Sequence, residues 1–241
     1  MAYARGRRWP FVLIILAVAF VAFEVPPYFT GDPAQSRIQP EPPLAAYFPV
    51  LTVHVFLGCA ALLTGCLQMW PWLRARRPRL HRVTGRVYVG LCVAAGLLAL
   101  YLAATTPYGP VARASSTVLA TLWIGTSVAG LLAARRRDFA AHRRWMIRSF
   151  ALACSIATNR IWVVILVITL TPGYADNHLA LLITTAGLSS WLGWTLPLLA
   201  TQVWLDRDHR RRVVDLDRAP APTVGNHDGN PDHRSEQGSR A

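Results

Sequence analysis

With 241 residues the chain has room for one or two soluble domains, yet 53% of it is apolar and those residues fall in long unbroken runs. A formal charge of +13 would suit nucleic acid if it were spread over a folded surface. Here the arginines cluster at the ends of the apolar runs, which excludes a nucleic-acid-binding domain and makes the lipid bilayer the first partner.

Residues 1–27 read as a basic N-terminal segment and a first transmembrane helix. Arg5, Arg7 and Arg8 precede an apolar run from Trp9 to Val25 that is interrupted by Glu24 and closed by Pro26 and Pro27. The run is close to the lower limit of about 17 residues for a span, and its charged start also suits a signal peptide. An uncleaved span is expected, because the apolar run continues past the weak small-residue site at Ala17 and Ala19. Residues 28–46, with Pro33, Pro40, Pro42 and Pro43, are expected to form an irregular extracytoplasmic loop.

Residues 47–205 read as a five-helix membrane core. The second span, Tyr47 to Trp70, contains His54 and Gln68, and the basic stretch Pro71 to Arg82 follows it. Span three runs from about Val83 to Thr105, and span four from Ser115 to Ala134. Arg135, Arg136 and Arg137 then mark a return to the cytoplasm, and Asp138 is placed to cap the helix that carries His142. Span five covers about Met146 to Thr171, and span six Leu179 to Leu205 with Pro197 as a kink. Residues 206–241 turn to Arg, Asp, Pro and Gly and are expected to be a disordered cytoplasmic tail.

The expected fold is therefore all-α, a polytopic membrane bundle of six transmembrane helices with both termini cytoplasmic. The location that follows is a membrane with the basic loops on its cytoplasmic side. Cys59, Cys66, Cys92 and Cys154 all lie inside apolar runs without a CxxC spacing, and read as small buried hydrophobes.

Two basic collars carry the candidate chemistry. His81 and His142, 61 residues apart, each open a helix that starts at the cytoplasmic level. If those helices are neighbours, the two imidazoles form the arrangement needed to ligate a haem iron or part of a metal site. Arg82, Arg86, Arg143 and Arg148 would then pair with propionates or another anionic group. His54 lies about 10 Å below the outer end of its span, where an imidazole needs a partner or serves as an outer ligand.

Arg160 is the charged side chain deep inside spans two to six, and those spans contain no Asp or Glu. Arginine at a helix centre costs about 2.5–3.5 kcal/mol on insertion scales, so it is expected to face the bundle or a polar cavity. A backbone carbonyl, a bound anion or a polar ligand is its expected partner. Asn159, Gln68 and His54 are candidates to line such a cavity with it.

His54, Leu67-Gln68, His81-Arg82-x-x-Gly85-Arg86-x-Tyr88 and His142-Arg143-Arg144-Trp145-Met146-x-Arg148-Ser149 together resemble a bacterial multi-pass family. That family is known as predicted membrane proteins carrying a domain of unknown function. The resemblance covers about Tyr47 to Leu205 and implies a helical membrane fold with no established activity. A more distant likeness is to the two-haem cytochrome b superfamily, which implies His54, His81 and His142 as haem ligands. Span four lacks the histidine that a second complete site needs.

Three function classes follow. The first is a haem b protein passing electrons to a quinone or membrane redox partner through the inner His pair. The second is a small transporter or lipid-binding protein with a polar cavity around Arg160, and the third a non-catalytic partner subunit.

Overall fold

The computed structural model describes residues 9–35, 45–174 and 177–217, with side chains to 211. The basic opening 1–8 and the end of the tail, 218–241, lie outside the described residues. The chain divides into one unit spanning 1–205 and another spanning 206–241.

Among the described residues the regular structure is helical: α1 (Trp9–Glu24), α2 (Pro26–Phe29), α3 (Tyr47–Met69), α4 (Pro71–Arg76), α5 (Pro78–Ala104), α6 (Gly109–Arg135), α7 (Phe139–Ala153), α8 (Ser155–Leu170) and α9 (His178–Asp217). Helix α3, α5, α6, the pair α7–α8 and α9 make five segments long and apolar enough to cross a membrane. Helix α1 has 16 residues. At about 1.5 Å per residue it is shorter than a hydrocarbon core of about 30 Å.

Several boundaries follow directly from local chemistry. Pro71 and Pro78 open α4 and α5, where a missing N–H is no loss. The Asp138 side chain accepts from the Ala141 N–H at 2.9 Å, so α7 starts with a bonded cap before its arginines. Helix α9 runs on to Asp217 although the composition changes at Asp206. Asp206 stands four residues before Arg210, a spacing that supports helix where composition alone suggested disorder.

Helices α3, α5, α6 and α7 form a closed ring in which each packs on the next and α7 returns to α3. The core inside it gathers Ala61, Tyr88, Cys92, Trp123 and Leu152, with Trp194 added from α9. Helix α1 lies against α3 through Ala17, Leu62 and Cys66. Ile15, Leu97, Ile161, Ile168 and Leu199 face outwards, as side chains do when the solvent is lipid.

The ring centre holds a polar chain. Tyr88 Oη and Ser149 Oγ lie 2.8 Å apart, and Ser149 Oγ is 2.7 Å from Ser127 Oγ. Ser127 in turn donates to the Trp123 carbonyl at 2.7 Å. Tyr88 and Ser149 are the last residues of the two collar motifs, and they stand 61 residues apart, the same separation as His81 and His142. The collars thus meet at their buried ends, across the diagonal of the ring.

Candidate functional site

A cavity of about 580 Å3 opens in the half of the bundle away from the collars. The end of α1, the first half of α3, the last turns of α5, the first half of α6, α8 and the first half of α9 wall it. Most of the lining is aliphatic or aromatic, and a few polar groups converge on it, among them Glu24, His54, Asn159, Arg160 and Thr185.

Helix α8 supplies the centre of this arrangement. The long helix that starts at Phe139 is interrupted at Cys154, and α8 resumes at Ser155. Thr158 Oγ1 bonds back to the Ser155 carbonyl at 3.0 Å and the Cys154 carbonyl at 3.3 Å, the kind of side-chain competition that bends helices. The same hydroxyl also reaches the Gly193 carbonyl of α9, so its single proton is shared among these carbonyls. A Cβ on Gly193 would come within 2.9 Å of Asn159 Cβ and 3.0 Å of its Cα, so only glycine lets α9 approach this closely. The contact fixes Asn159 and Arg160 on the cavity wall.

Arg160 meets a carboxylate after all. Its Nη2 donates to Glu24 Oε1 at 2.6 Å and its Nε to Glu24 Oε2 at 3.3 Å. The expectation of a carbonyl, a bound anion or a ligand is corrected for a simple reason: the partner comes from the first helix, outside the five spans searched for carboxylates. Glu24 is 3% exposed and Arg160 28%, the arginine being the more open of the two.

His54 Nδ1 lies 2.9 Å from the Ala95 carbonyl. A carbonyl only accepts, so Nδ1 donates, and in the neutral ring Nε2 is left with its lone pair. Thr185 Oγ1 is buried and has no hydrogen-bond partner, unusual for a helical threonine. Tyr28, Tyr47 and Tyr108 close the loop end of the cavity, with His178 at its rim. Burial pushes the Tyr108 phenol up, while the nearby Arg160 charge pulls it the other way.

The residues expected at the inner face are placed differently. Gln68 does not line the cavity; it belongs to the collar end. In its satisfied orientation its amide nitrogen donates to His81 Nδ1 at 2.8 Å, and its oxygen accepts from Thr84 Oγ1 at 2.5 Å and Gly85 N at 3.2 Å. His142 Nδ1 sits 2.8 Å from the Gly130 carbonyl and must donate to it. Arg148 donates through Nε and Nη2 to Gln202 Oε1 at 3.1 and 2.8 Å, and its guanidinium lies over Trp145. Arg143 lies over the Trp204 ring at 5.2 Å. Arg82 and Arg86 are exposed.

These residues do not fit an axial pair for haem b. Ligation needs a bare ring nitrogen, and a ligand histidine usually donates its other N–H to a carbonyl or carboxylate. His142 follows that pattern. His81 does the opposite, because its Nδ1 accepts from Gln68 and its Nε2 therefore carries the proton in the neutral ring. Two of the four arginines assigned to propionates are engaged by α9 side chains instead. Among the described residues no group of three or more His, Cys, Asp or Glu comes together to hold a metal ion.

Residues 51–205 match the family described as predicted membrane protein (DUF2306), well over half of the chain. The chain belongs to this family. The matched region holds Arg160, Asn159, His54 and both collars, while Glu24 lies before it. No curated protein and no solved structure matches the chain.

The ion pair is the main feature that sequence reading missed. Glu24 was visible as the one acid in the first apolar run, and Arg160 as the one base deep in the others. Pairing the two lone opposite charges of the membrane segments was the available signal.

Proposed function

We propose that this member of the DUF2306 family binds a small, largely apolar molecule inside the membrane, in the cavity beside Arg160. The observation that carries the reading is the convergence of Arg160, Glu24, Asn159, His54 and Thr185 on one otherwise apolar space of about 580 Å3. That volume falls in the range of about 300–1,000 Å3 typical of ligand sites, which pair an apolar lining with a few placed polar groups. A buried ion pair is weak evidence of a stabilising role, whereas intramembrane ionisable residues mark functional sites by default.

The orientation that goes with this reading puts the collars in the cytoplasm of a bacterial cell and the cavity in the outer half of its inner membrane. The dense arginines of the collar end support it. A cysteine placed at Arg136 in a cysteine-free background should react with an impermeant maleimide only in inverted vesicles. Labelling in intact cells would reverse the orientation.

The binding reading is tested by cavity filling. A Cβ on Gly58 meets nothing within 4 Å, and Gly58 lines the cavity, so Gly58→Phe should enter the space without a clash. Intact-mass spectra of wild-type protein released gently from membranes should show a bound small molecule that folded Gly58→Phe lacks. Equal adduct content in both proteins would sink the reading.

A further inference from the structure

Resting on that reading, we infer that the cavity's ligand is an uncharged amphiphile whose polar end carries a hydroxyl, and that charged amphiphiles are turned away by the Glu24–Arg160 pair. Among the residues lining the cavity, Glu24 and Arg160 are the acid and the base, and they neutralise each other at 2.6 Å. An anion that displaces Glu24 from Arg160 strands a carboxylate that is 3% exposed. Staying in place, it adds a second negative charge to a space that holds one positive one. A cation faces the mirror problem at Arg160. An uncompensated buried charge is costly enough that its removal or neutralisation normally wins, so a neutral head has the advantage.

The polar groups left over point to a hydroxyl. His54 Nδ1 is committed to the Ala95 carbonyl at 2.9 Å, which leaves Nε2 as an acceptor on the cavity side of α3. Thr185 Oγ1, 4% exposed and unpartnered, and the Asn159 amide offer both donors and acceptors. An alcohol donates to one of these and accepts from another. A ketone or ester only accepts and leaves the His54 nitrogen unmatched. His178 is exposed at the rim, where its ring nitrogens are met by solvent.

The test uses Trp123, whose indole lines the cavity, as the reporter. Full-length protein in bilayer nanodiscs is titrated with bromoundecanol or with bromoundecanoate, at a pH where the latter is ionised and at equal mole fraction in the lipid. The alcohol should quench the Trp123 component saturably, the component being defined by its loss in Trp123→Phe. The carboxylate should bind at least about tenfold more weakly, equivalent to about 1.4 kcal/mol. In Glu24→Gln the guanidinium is freed, and the carboxylate should then bind as well as the alcohol or better. Wild-type comparison stands alone if that variant does not fold. Carboxylate binding to wild type as tight as the alcohol's, or an unchanged preference in a folded Glu24→Gln, overturns the inference while leaving the cavity as a ligand site. No saturable Trp123 quenching by either compound instead removes the ligand-binding reading on which the inference rests.

Discussion

Removing the two members of the Glu24–Arg160 pair separately should have unequal consequences. Arg160→Met leaves the Glu24 carboxylate, 3% exposed, without a counter-charge. Breaking a buried pair in this way costs about 3–5 kcal/mol. Glu24→Gln leaves an arginine that is 28% exposed, keeps several free donors and retains an amide oxygen to bond. Its cost should be nearer that of a hydrogen bond to a charged group, about 1.5–3 kcal/mol. The double variant removes both charges, so it should be more stable than Arg160→Met alone. Unfolding in mixed micelles with increasing dodecyl sulfate, followed by circular dichroism, gives the four free energies of the cycle. Single variants within about 0.5 kcal/mol of wild type, the range of ordinary surface changes, would refute the pair as a structural fact. Strict additivity would do the same.

Three further outcomes follow from the packing. Gly193→Ala should destabilise by about 1–3 kcal/mol, because the new Cβ meets the Asn159 backbone at 3.0 Å, whereas Gly90→Ala, with open space around it, should be neutral or gain up to about 1 kcal/mol; micelle unfolding of both checks this. Ser149→Ala should cost about 0.6–1.7 kcal/mol by cutting the Tyr88–Ser149–Ser127 chain. Adding Tyr88→Phe should then cost little more, since the shared bond is already gone, and a fully additive double variant would contradict the network. Protein from a haem-replete host should show no Soret or alpha band in dithionite-reduced minus oxidised spectra, given the proton placement at His81. Such bands, lost on His142→Ala, would restore the haem reading.

The membrane-crossing helices were legible because depth is written in composition. Apolar runs mark the spans, and Arg135, Arg136 and Arg137 mark where a span ends. Membership of a membrane family with a domain of unknown function agrees with the family resemblance read from the sequence. The cap at Asp138 was readable for the same local reason, since it depends on one side chain and the N–H three residues on. What could not be read was which face each helix turns to which neighbour. Helices apolar on nearly every side carry little rotational signal, so the collar motifs gave no sign that Tyr88 and Ser149 face each other in the core. Arg160 was recognisable by its cost, but Glu24 sits 136 residues earlier and off the expected core. The interruption at Cys154 also escaped, because no Pro or Gly marks it and the bonding of Thr158 does.

The central claim is that the space beside Arg160 is a ligand site, and an experimental density map of the protein taken directly from its membrane tests it most directly. The account predicts continuous non-protein density between α3, α8 and α9, its polar end within hydrogen-bonding distance of His54, Asn159 or Thr185, with Glu24 and Arg160 still paired. A cavity filled by repacked side chains, or holding water alone, would contradict it.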